Sequence, residues 1–185
     1  MDLLIAKFLV SAGHGDRDPG NTSNNRKEAD IAVELRNIIT KKLKELGHDV
    51  VTDGTGLDNW ALARAMKLIT GRVSIEIHTN AGSAIAKGVE TVSLSSDKEL
   101  AQRISNNISK TMNIPVRRIK GWLDPNIIKS ERGFFPGFVR SGGLIIETFF
   151  QSNKDELATY DAKKWLIAQA IVDALLKKAY QSYKE

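Results

Sequence analysis

The residue types that could do chemistry are few, because the 185 residues include no cysteine and only three histidines: His14, His48 and His78. Any bound transition metal must therefore be held by His, Asp or Glu. His14 and His78 lie beside small residues at predicted strand ends, and Glu28 lies where a first helix is predicted to begin. Two imidazoles and one carboxylate are a common donor set for catalytic zinc, with a fourth position open to water. A single histidine at a strand end, by contrast, is more often a capped or surface residue.

A second candidate is Glu147, the one acid within the apolar run 144–149. Burying a carboxylate without a partner costs several kcal/mol or forces its protonation. This position therefore needs a cation, a metal-bound water or a catalytic proton. A buried salt bridge to an arginine is the structural alternative.

Hydrophobic periodicity indicates the elements that must position these side chains. Predicted strands span 6–11, 48–53, 73–78, 88–94 and 144–149. Predicted helices carry apolar residues at helical spacing over 31–46, 62–69, 96–112 and 165–179. Their alternation predicts an α/β fold, a three-layer α/β/α domain with a mostly parallel or mixed twisted sheet. Ligands on such sheets bind at the carboxyl ends of strands, where His14, His78 and Glu147 all fall.

Local signals refine the boundaries of these elements. Asn24 or Asn25 is predicted to cap the first helix, which places Glu28 in or near its first turn. Ser96 and Glu99 have the spacing of a capping box at the start of another helix. Residues 121–143 are rich in Gly, aromatic and charged residues without a clean period, which favours a long loop or groove wall.

Four linked stretches resemble the motifs of the zinc-dependent N-acetylmuramoyl-L-alanine amidases of the Amidase 3 family. Residues 11–20 (SAGHGDRDPG) resemble its His-Gly-x-x-Asp-Pro-Gly motif, and Glu28 follows at the spacing of its ligand glutamate. Residues 76–81 (EIHTNA) resemble its Ser-Ile-His-Ala-Asn motif, and residues 146–153 (IETFFQSN) resemble its closing motif of Glu, Phe and Ser-Asn. Residues 88–90 (GVE) also match a common stretch of the family. The order and spacing agree over essentially the whole chain.

This resemblance implies that His14, Glu28 and His78 bind Zn²⁺ and that Glu147 is the catalytic residue. The metal would polarise the lactyl-alanine carbonyl and activate water. Glu147 would take the proton of the water and return it to the leaving amine of L-alanine. The implied substrate is peptidoglycan, cut between N-acetylmuramic acid and L-alanine.

The chain departs from the family pattern at Asp16 and Phe149, which replace glycines, and at Glu76, which replaces a serine. Glu76 lies two residues from His78, hence on the same face of a strand and about 7 Å away. It could orient the histidine or bind substrate, or it could be an edge-strand charge that faces solvent.

Size and charge limit the biological context. We expect one catalytic domain over residues 1–185, with no separate cell-wall-binding domain, and a monomer. The formal charge of +5 suits an anionic polymer or a merely soluble protein. The N-terminal apolar run reads as a strand and not as a signal peptide, and no stretch reaches the length of a membrane span. We therefore expect a phage or prophage lysin made in the bacterial cytoplasm, acting on the wall and released by a holin-type partner.

Other polar and aromatic residues favour structural roles. His48, in a helix-to-strand turn, and Glu90, on a strand, are both interpreted as structural. Arg117, Arg118 and Lys120 could grip an anionic polymer or form a solvated basic edge, and no nucleic-acid-binding module accompanies them. Trp122 is the better candidate for stacking on a sugar, with packing as its alternative.

Two alternative functions are open at this point. A zinc carboxypeptidase or endopeptidase acting on wall peptides would use the same metal set. A wall-binding or nucleic-acid-binding protein without catalysis is the second alternative, and the presence of Glu147 argues against it.

Overall fold

The structure of the protein is a computed structural model that describes residues 5–15, 18–54 and 62–181. Its strands are β1 (Lys7–Ala12), β2 (Thr22–Ser23), β3 (Arg26–Lys27), β4 (Asp49–Thr52), β5 (Val73–Asn80), β6 (Glu90–Val92), β7 (Trp122–Leu123) and β8 (Leu144–Phe150). Its helices are α1 (Glu28–Glu45), α2 (Leu62–Met66), α3 (Lys98–Met112), α4 (Pro125–Arg132), α5 (Gly137–Arg140) and α6 (Lys154–Gln181), with a 3₁₀ turn at Ser95–Asp97. None of the described helices is long and apolar enough to cross a membrane.

Six strands form one mixed sheet in the order β4-β1-β5-β8-β6-β7. The strands β4, β1, β5 and β8 are mutually parallel, β6 runs antiparallel to β8, and β7 is parallel to β6. The predicted α/β fold with a mostly parallel or mixed sheet, flanked by helices, is therefore confirmed. The hairpin β2–β3 stands apart from this sheet and leads into α1.

Side-chain alternation divides the sheet into two faces. Phe8 and Val10 of β1 and Ile75 and Ile77 of β5 pack with α1, α3 and α6 in the main hydrophobic core. On the opposite face, Leu9 packs with residues of α2 and α5 in a smaller cluster. A third cluster joins β6 and β7 to α4 and α5. This second face is the one that carries the polar side chains of β5 and β8.

The prediction of a long irregular loop over 121–143 is wrong. This segment contains β7, α4 and α5. Helix α4 begins at Pro125, where the carboxylate of Asp124 accepts a hydrogen bond from the backbone N–H of Asn126, and it ends at Gly133 in the left-handed conformation. A helix of 8 residues makes only about two turns, so its hydrophobic period repeats too few times to be recognised and its caps are the clearer sequence signal.

Two predicted caps are also wrong, although both helices exist. Ser96 and Glu99 do not form a capping box, because Ser96 lies in the 3₁₀ turn before α3 and its hydroxyl bonds Asp97 instead. Asn24 and Asn25 do not cap α1, because both occupy the left-handed turn between β2 and β3. Glu28 is nevertheless the first residue of α1, as predicted.

Candidate metal and catalytic site

The predicted metal ligands come from three different elements that meet at the carboxyl edge of the sheet. His14 follows the end of β1 and has a left-handed backbone conformation (φ 65°), which is uncommon for a residue other than glycine and often marks a functional position. His78 lies near the end of β5 on the second face. Glu28 reaches the same edge from the start of α1, where its carboxylate accepts the backbone N–H groups of Asn21 and Thr79.

The structure brings these three side chains together. Nε2 of His14 lies 3.2 Å from Oε2 of Glu28, and Nδ1 of His78 lies 3.1 Å from its Oε1. One candidate ligand atom from each residue falls within 4.8 Å of the others. Two imidazole nitrogens and a carboxylate oxygen therefore lie close enough together to be ligands of one ion, which is a donor set that zinc accepts.

Each histidine has a second carboxylate behind it. Nδ1 of His14 lies 2.8 Å from Oδ2 of Asp18, and Nε2 of His78 lies 3.1 Å from Oε1 of Glu76. Each ring thus turns one nitrogen to Glu28 and the other to an outer acid. The edge-strand alternative for Glu76 is wrong, because β5 lies between β1 and β8 and Glu76 is only 5% exposed.

These contacts shift the protonation of the three predicted ligands. The hydrogen bond to Glu28 raises the pKa of His14. Burial alone would lower the pKa of His78, but the hydrogen bonds to Glu28 and Glu76 outweigh it and raise that pKa well above its usual value. Burial would likewise raise the pKa of Glu28, yet its bonds to the two histidines hold the pKa far below the usual range. The metal-free site therefore favours protonated imidazoles around ionised carboxylates.

Glu147 lies beside this cluster, on the strand next to β5. It is the register partner of His78 across β5 and β8 and of Glu90 across β8 and β6, so the three side chains share the second face. Its Oε2 is buried without a hydrogen-bond partner among the described residues. Burial raises the pKa of Glu147 to about 7, and the charges of Glu28 and Glu90 act in the same direction. A buried salt bridge, the structural alternative, is not formed in the described part of the chain.

Two glycines let the backbone approach the histidines closely. A Cβ at Gly13 would lie 2.3 Å from the ring of His78. A Cβ at Gly20 would lie 2.6 Å from the ring of His14 and 2.8 Å from Oε2 of Glu28, and this glycine also has a left-handed backbone (φ 65°). Gly13 and Gly20 therefore leave room for the rings of His78 and His14, and Gly20 also allows a left-handed turn.

Arg117 and Arg118, in the basic segment before β7, contact the buried acid Glu90 on the second face of the sheet. Nε of Arg118 lies 3.2 Å from Oε2 of Glu90, Nε of Arg117 lies 3.5 Å from it, and Asn80 donates to Oε1 at 2.9 Å. The structural interpretation of Glu90 therefore agrees with its contacts. These two arginines are held by an acid and are not a purely solvated edge.

Two further sequence interpretations meet opposite outcomes. His48 packs edge-on against Phe8, with ring centroids 5.6 Å apart, and its Nδ1 accepts the backbone N–H of Ala6, as a structural histidine would. Trp122 is wrong as a sugar-stacking residue, because it is only 6% exposed and its Nε1 donates to the carbonyl of Ser93. The ring belongs to the main hydrophobic core.

Sequence reasoning missed two supports of the site. Asp53 follows β4, accepts the backbone N–H of Ala12 and pairs with Arg36 at 3.1 Å, with both side chains fully buried. Gln151 donates to three carbonyls of the β2–β3 hairpin segment, among them that of Arg26 at 2.6 Å. An acid immediately after a strand is the available signal for Asp53. Gln151 lies within the closing motif, but its residue type alone does not indicate a role.

The residues present fit a zinc ion. The donor set is the His, His and carboxylate combination that zinc accepts, and the outer acids occupy the nitrogens that face away from Glu28. Glu147, whose Oε2 has no hydrogen-bond partner among the described residues, lies on the same face of the sheet as His78. A cluster this rich in carboxylates has a clear electrostatic need for a cation.

With this geometry in place, comparison with known proteins defines the class. The chain matches the family model of N-acetylmuramoyl-L-alanine amidases named Amidase 3 over residues 9–177. It therefore belongs to the Amidase 3 family.

Solved structures agree with this family, and one curated protein is also similar to the chain. A Neisseria meningitidis protein assigned as an N-acetylmuramoyl-L-alanine amidase is 34% identical, with a TM-score of 0.82 over 94% of this chain and 95% of that one. The amidase from Clostridium difficile 630 shares the fold at 23% identity, with a TM-score of 0.78 over 98% and 99% of the two chains. The uncharacterized protein YqiI of Bacillus subtilis is 31% identical over 107 residues, which are 56% of this chain. The match spans about half (52%) of YqiI.

Proposed function

We propose that this protein hydrolyses the amide bond between N-acetylmuramic acid and L-alanine in peptidoglycan. In this proposal His14, Glu28 and His78 hold Zn²⁺, and Glu147 moves the proton. Membership of the Amidase 3 family supports the reaction class. The two alternatives, a zinc peptidase on wall peptides and a binding protein without catalysis, have no comparable support.

The observation that carries the proposal is the position of an unpartnered acid beside a convergent donor set. Glu147 pairs in register with His78, and its Oε2 has no hydrogen-bond partner among the described residues. A purely structural carboxylate at this depth would be matched by a donor. A carboxylate that must accept and release a proton is better left free to do so.

In this proposal the metal and Glu147 have different roles in the reaction. When bound, zinc supplies Lewis acidity, which polarises a carbonyl and makes water easier to deprotonate. Glu147 accepts the proton of the attacking water as its oxygen bonds to the lactyl carbonyl carbon. Glu147 then gives that proton to the nitrogen of L-alanine as the C–N bond breaks, which leaves a carboxylic acid and an amine. In the metal-free protein burial raises the pKa of Glu147 to about 7, which is the direction that favours proton uptake by this carboxylate.

The proposal is tested by digesting purified peptidoglycan and analysing the products by mass spectrometry. We expect release of peptides that begin with L-alanine from intact glycan strands, loss of release with a chelator, and recovery with zinc. Shortened or uncrosslinked peptides still attached to glycan would indicate a peptidase instead. Wall binding with no released product would indicate the non-catalytic alternative.

The same assay tests the assignment of Glu147. We expect Glu147→Gln to retain zinc and wall binding and to lose at least 100-fold in rate, as general acid–base residues do. Glu45→Gln is the matched control, because this acid is exposed at the end of α1 and, among the described residues, its ion pair is with Lys41. Near-normal turnover in Glu147→Gln would refute the assigned role.

A lytic role of the phage type is a further part of the proposal. The net positive charge supports association with an anionic wall, and it makes a basic surface the means of holding the polymer. We expect expression in a bacterial host to cause lysis only when a holin-type protein is expressed with it. Lysis by the protein alone would contradict release by such a partner.

A further inference from the structure

Glu76 differs from the other acids of the site, because it lies outside the predicted ligand set and replaces a serine of the family motif. Its Oε1 lies 3.1 Å from Nε2 of His78, and the hydroxyl of Ser11 donates to its Oε2 at 3.4 Å. It is 5% exposed, on a strand enclosed by neighbours on both sides. Its carboxylate is therefore directed into the protein and towards the ring.

The ring of His78 is consequently bound at both nitrogens. Nδ1 faces Glu28 and Nε2 faces Glu76, each at 3.1 Å. A neutral imidazole carries one proton. If zinc is bound on the side of Glu28, where the candidate ligand atoms lie together, Nδ1 must offer its lone pair and the proton is left on Nε2, facing Glu76.

From these contacts we propose that Glu76 is a positioning residue for the metal site, and that it fixes the tautomer and orientation of His78 and strengthens zinc binding. This inference rests on the proposed function, since it assumes that the three-residue set holds zinc. A carboxylate that accepts the outer N–H of a ligand imidazole raises the basicity of the inner nitrogen and limits ring rotation. His14 has the same arrangement with Asp18, so each ring has a carboxylate at the nitrogen that faces away from Glu28.

The contact between Asp18 and His14 is more exposed to solvent than the contact between Glu76 and His78. The side chain of Asp18 is 69% exposed, whereas that of Glu76 is 7% exposed. A buried ion-assisted hydrogen bond is screened less by water and salt than an exposed one. Glu76 is therefore expected to contribute more to zinc affinity than Asp18 does.

The test is the zinc dissociation constant of the purified full chain, measured by competition with a chromophoric chelator. We expect Glu76→Gln to bind zinc about 10- to 100-fold more weakly, the range seen when such outer partners of ligand histidines are lost. Glu76→Asp retains the charge but shortens the side chain, so we expect a similar loss if contact with Nε2 is what matters. Wild-type affinity in both variants would overturn the inference.

Two control variants separate a positioning role of Glu76 from a general effect of the substitution on charge or folding. Ser11→Ala removes the other partner of Glu76, and we expect less than a threefold change in zinc affinity. Glu156→Gln removes a carboxylate that is equally buried (4% exposed) but bonds the backbone of Gly88 and Phe150 and touches neither histidine. An equal loss of affinity in Glu156→Gln and Glu76→Gln would overturn the inference in favour of a general charge or folding effect.

A second measurement remains available if Glu76→Gln folds poorly. With only three histidines, ¹⁵N-labelled imidazoles can be assigned by NMR in the zinc-loaded protein. We expect the proton of His78 on Nε2, and its absence there would overturn the inference. Absence of zinc binding in the wild-type protein would instead refute the metal part of the proposed function, so the two failures are distinguishable.

Discussion

Replacing Glu147 with glutamine should remove activity and, in the metal-free protein, increase stability at alkaline pH. Removal of the carboxylate from water raises its pKa from 4.5 to about 7, and the charges of Glu28 and Glu90 act in the same direction. An acid with a raised pKa in the folded state destabilises that state once the pH exceeds the unfolded value. The penalty therefore starts to grow near pH 4.5 and is complete above pH 7.

The expected magnitude follows from the two pKa values. At pH 8 the difference between 4.5 and about 7 corresponds to roughly 3 kcal/mol, since each tenfold change in an equilibrium constant is worth ~1.4 kcal/mol. At pH 4 the side chain is protonated in both states and the penalty nearly vanishes. Glutamine resembles the protonated acid in size, so it should relieve the penalty at pH 8 and change little at pH 4. For a chain of this length, ~3 kcal/mol is a shift in Tm of ~6–12 °C.

The assay is thermal and urea unfolding of wild type and Glu147→Gln in a chelator, at several values between pH 4 and pH 8. Glu45→Gln, at an exposed acid, should stay within about 0.5 kcal/mol of wild type throughout. A Glu147→Gln variant that is less stable than wild type at pH 8, or whose stability difference does not change with pH, would refute the reasoning. Loss of activity together with a gain in stability would be the expected signature of an acid retained for chemistry.

Further predictions concern the ligands and their supports. We expect His78→Ala to lose both zinc, measured by metal analysis, and activity, and turnover by zinc-free His78→Ala would contradict the ligand assignment. Zinc should raise the Tm more at pH 8 than at pH 6. The pKa values of His14 and His78 are raised in the folded state, so protonation of these histidines stabilises the metal-free protein below pH 6.5. This stabilisation is lost as the pH rises through the folded pKa values, where the deprotonated imidazoles become available to zinc. An equal shift at both pH values would argue against competition between protons and metal. We expect Gly13→Ala to weaken zinc binding at least tenfold by displacing the ring of His78, whereas wild-type affinity would show that the ring can yield. Arg36→Met leaves the buried Asp53 unpaired and should cost about 3–5 kcal/mol in urea unfolding, and a cost below ~1 kcal/mol would show that this pair is dispensable.

The parts of the site that the sequence predicts are those set by local periodicity. Alternation along β5 places Glu76 and His78 on one face, and the apolar stripe of α1 places Glu28 at its start. The carboxyl ends of parallel strands then bring His14 and His78 to one edge. These relations depend on spacing along the chain and on general rules for α/β sheets, so they follow from the order of the residues alone.

The remaining features depend on long-range pairing, which spacing does not encode. Whether Glu76 faces solvent or protein is decided by the position of β5 between β1 and β8, and sheet order is not a local property. The sugar-stacking interpretation of Trp122 fails for the same reason, since β7 pairs with β6 and the ring is buried in the main hydrophobic core. Helix α4 escapes prediction because caps, and not a hydrophobic period, define it.

The distribution of charge explains why such a site depends on a cation. Among the described residues, five carboxylates but only two imidazoles lie in or beside the cluster; the acids are Asp18, Glu28, Glu76, Glu90 and Glu147. Arg118 and Arg117 offset Glu90, and the histidines offset Glu28 and their outer acids only while they are protonated. As the pH rises, the imidazoles lose their charge and Glu147 gains one, so the metal-free fold becomes steadily less favourable where a wall hydrolase would work. A divalent cation reverses this trend, because it needs deprotonated imidazoles and an ionised Glu28. Folding and zinc binding should therefore be linked most strongly at the pH where Glu147 is able to accept a proton.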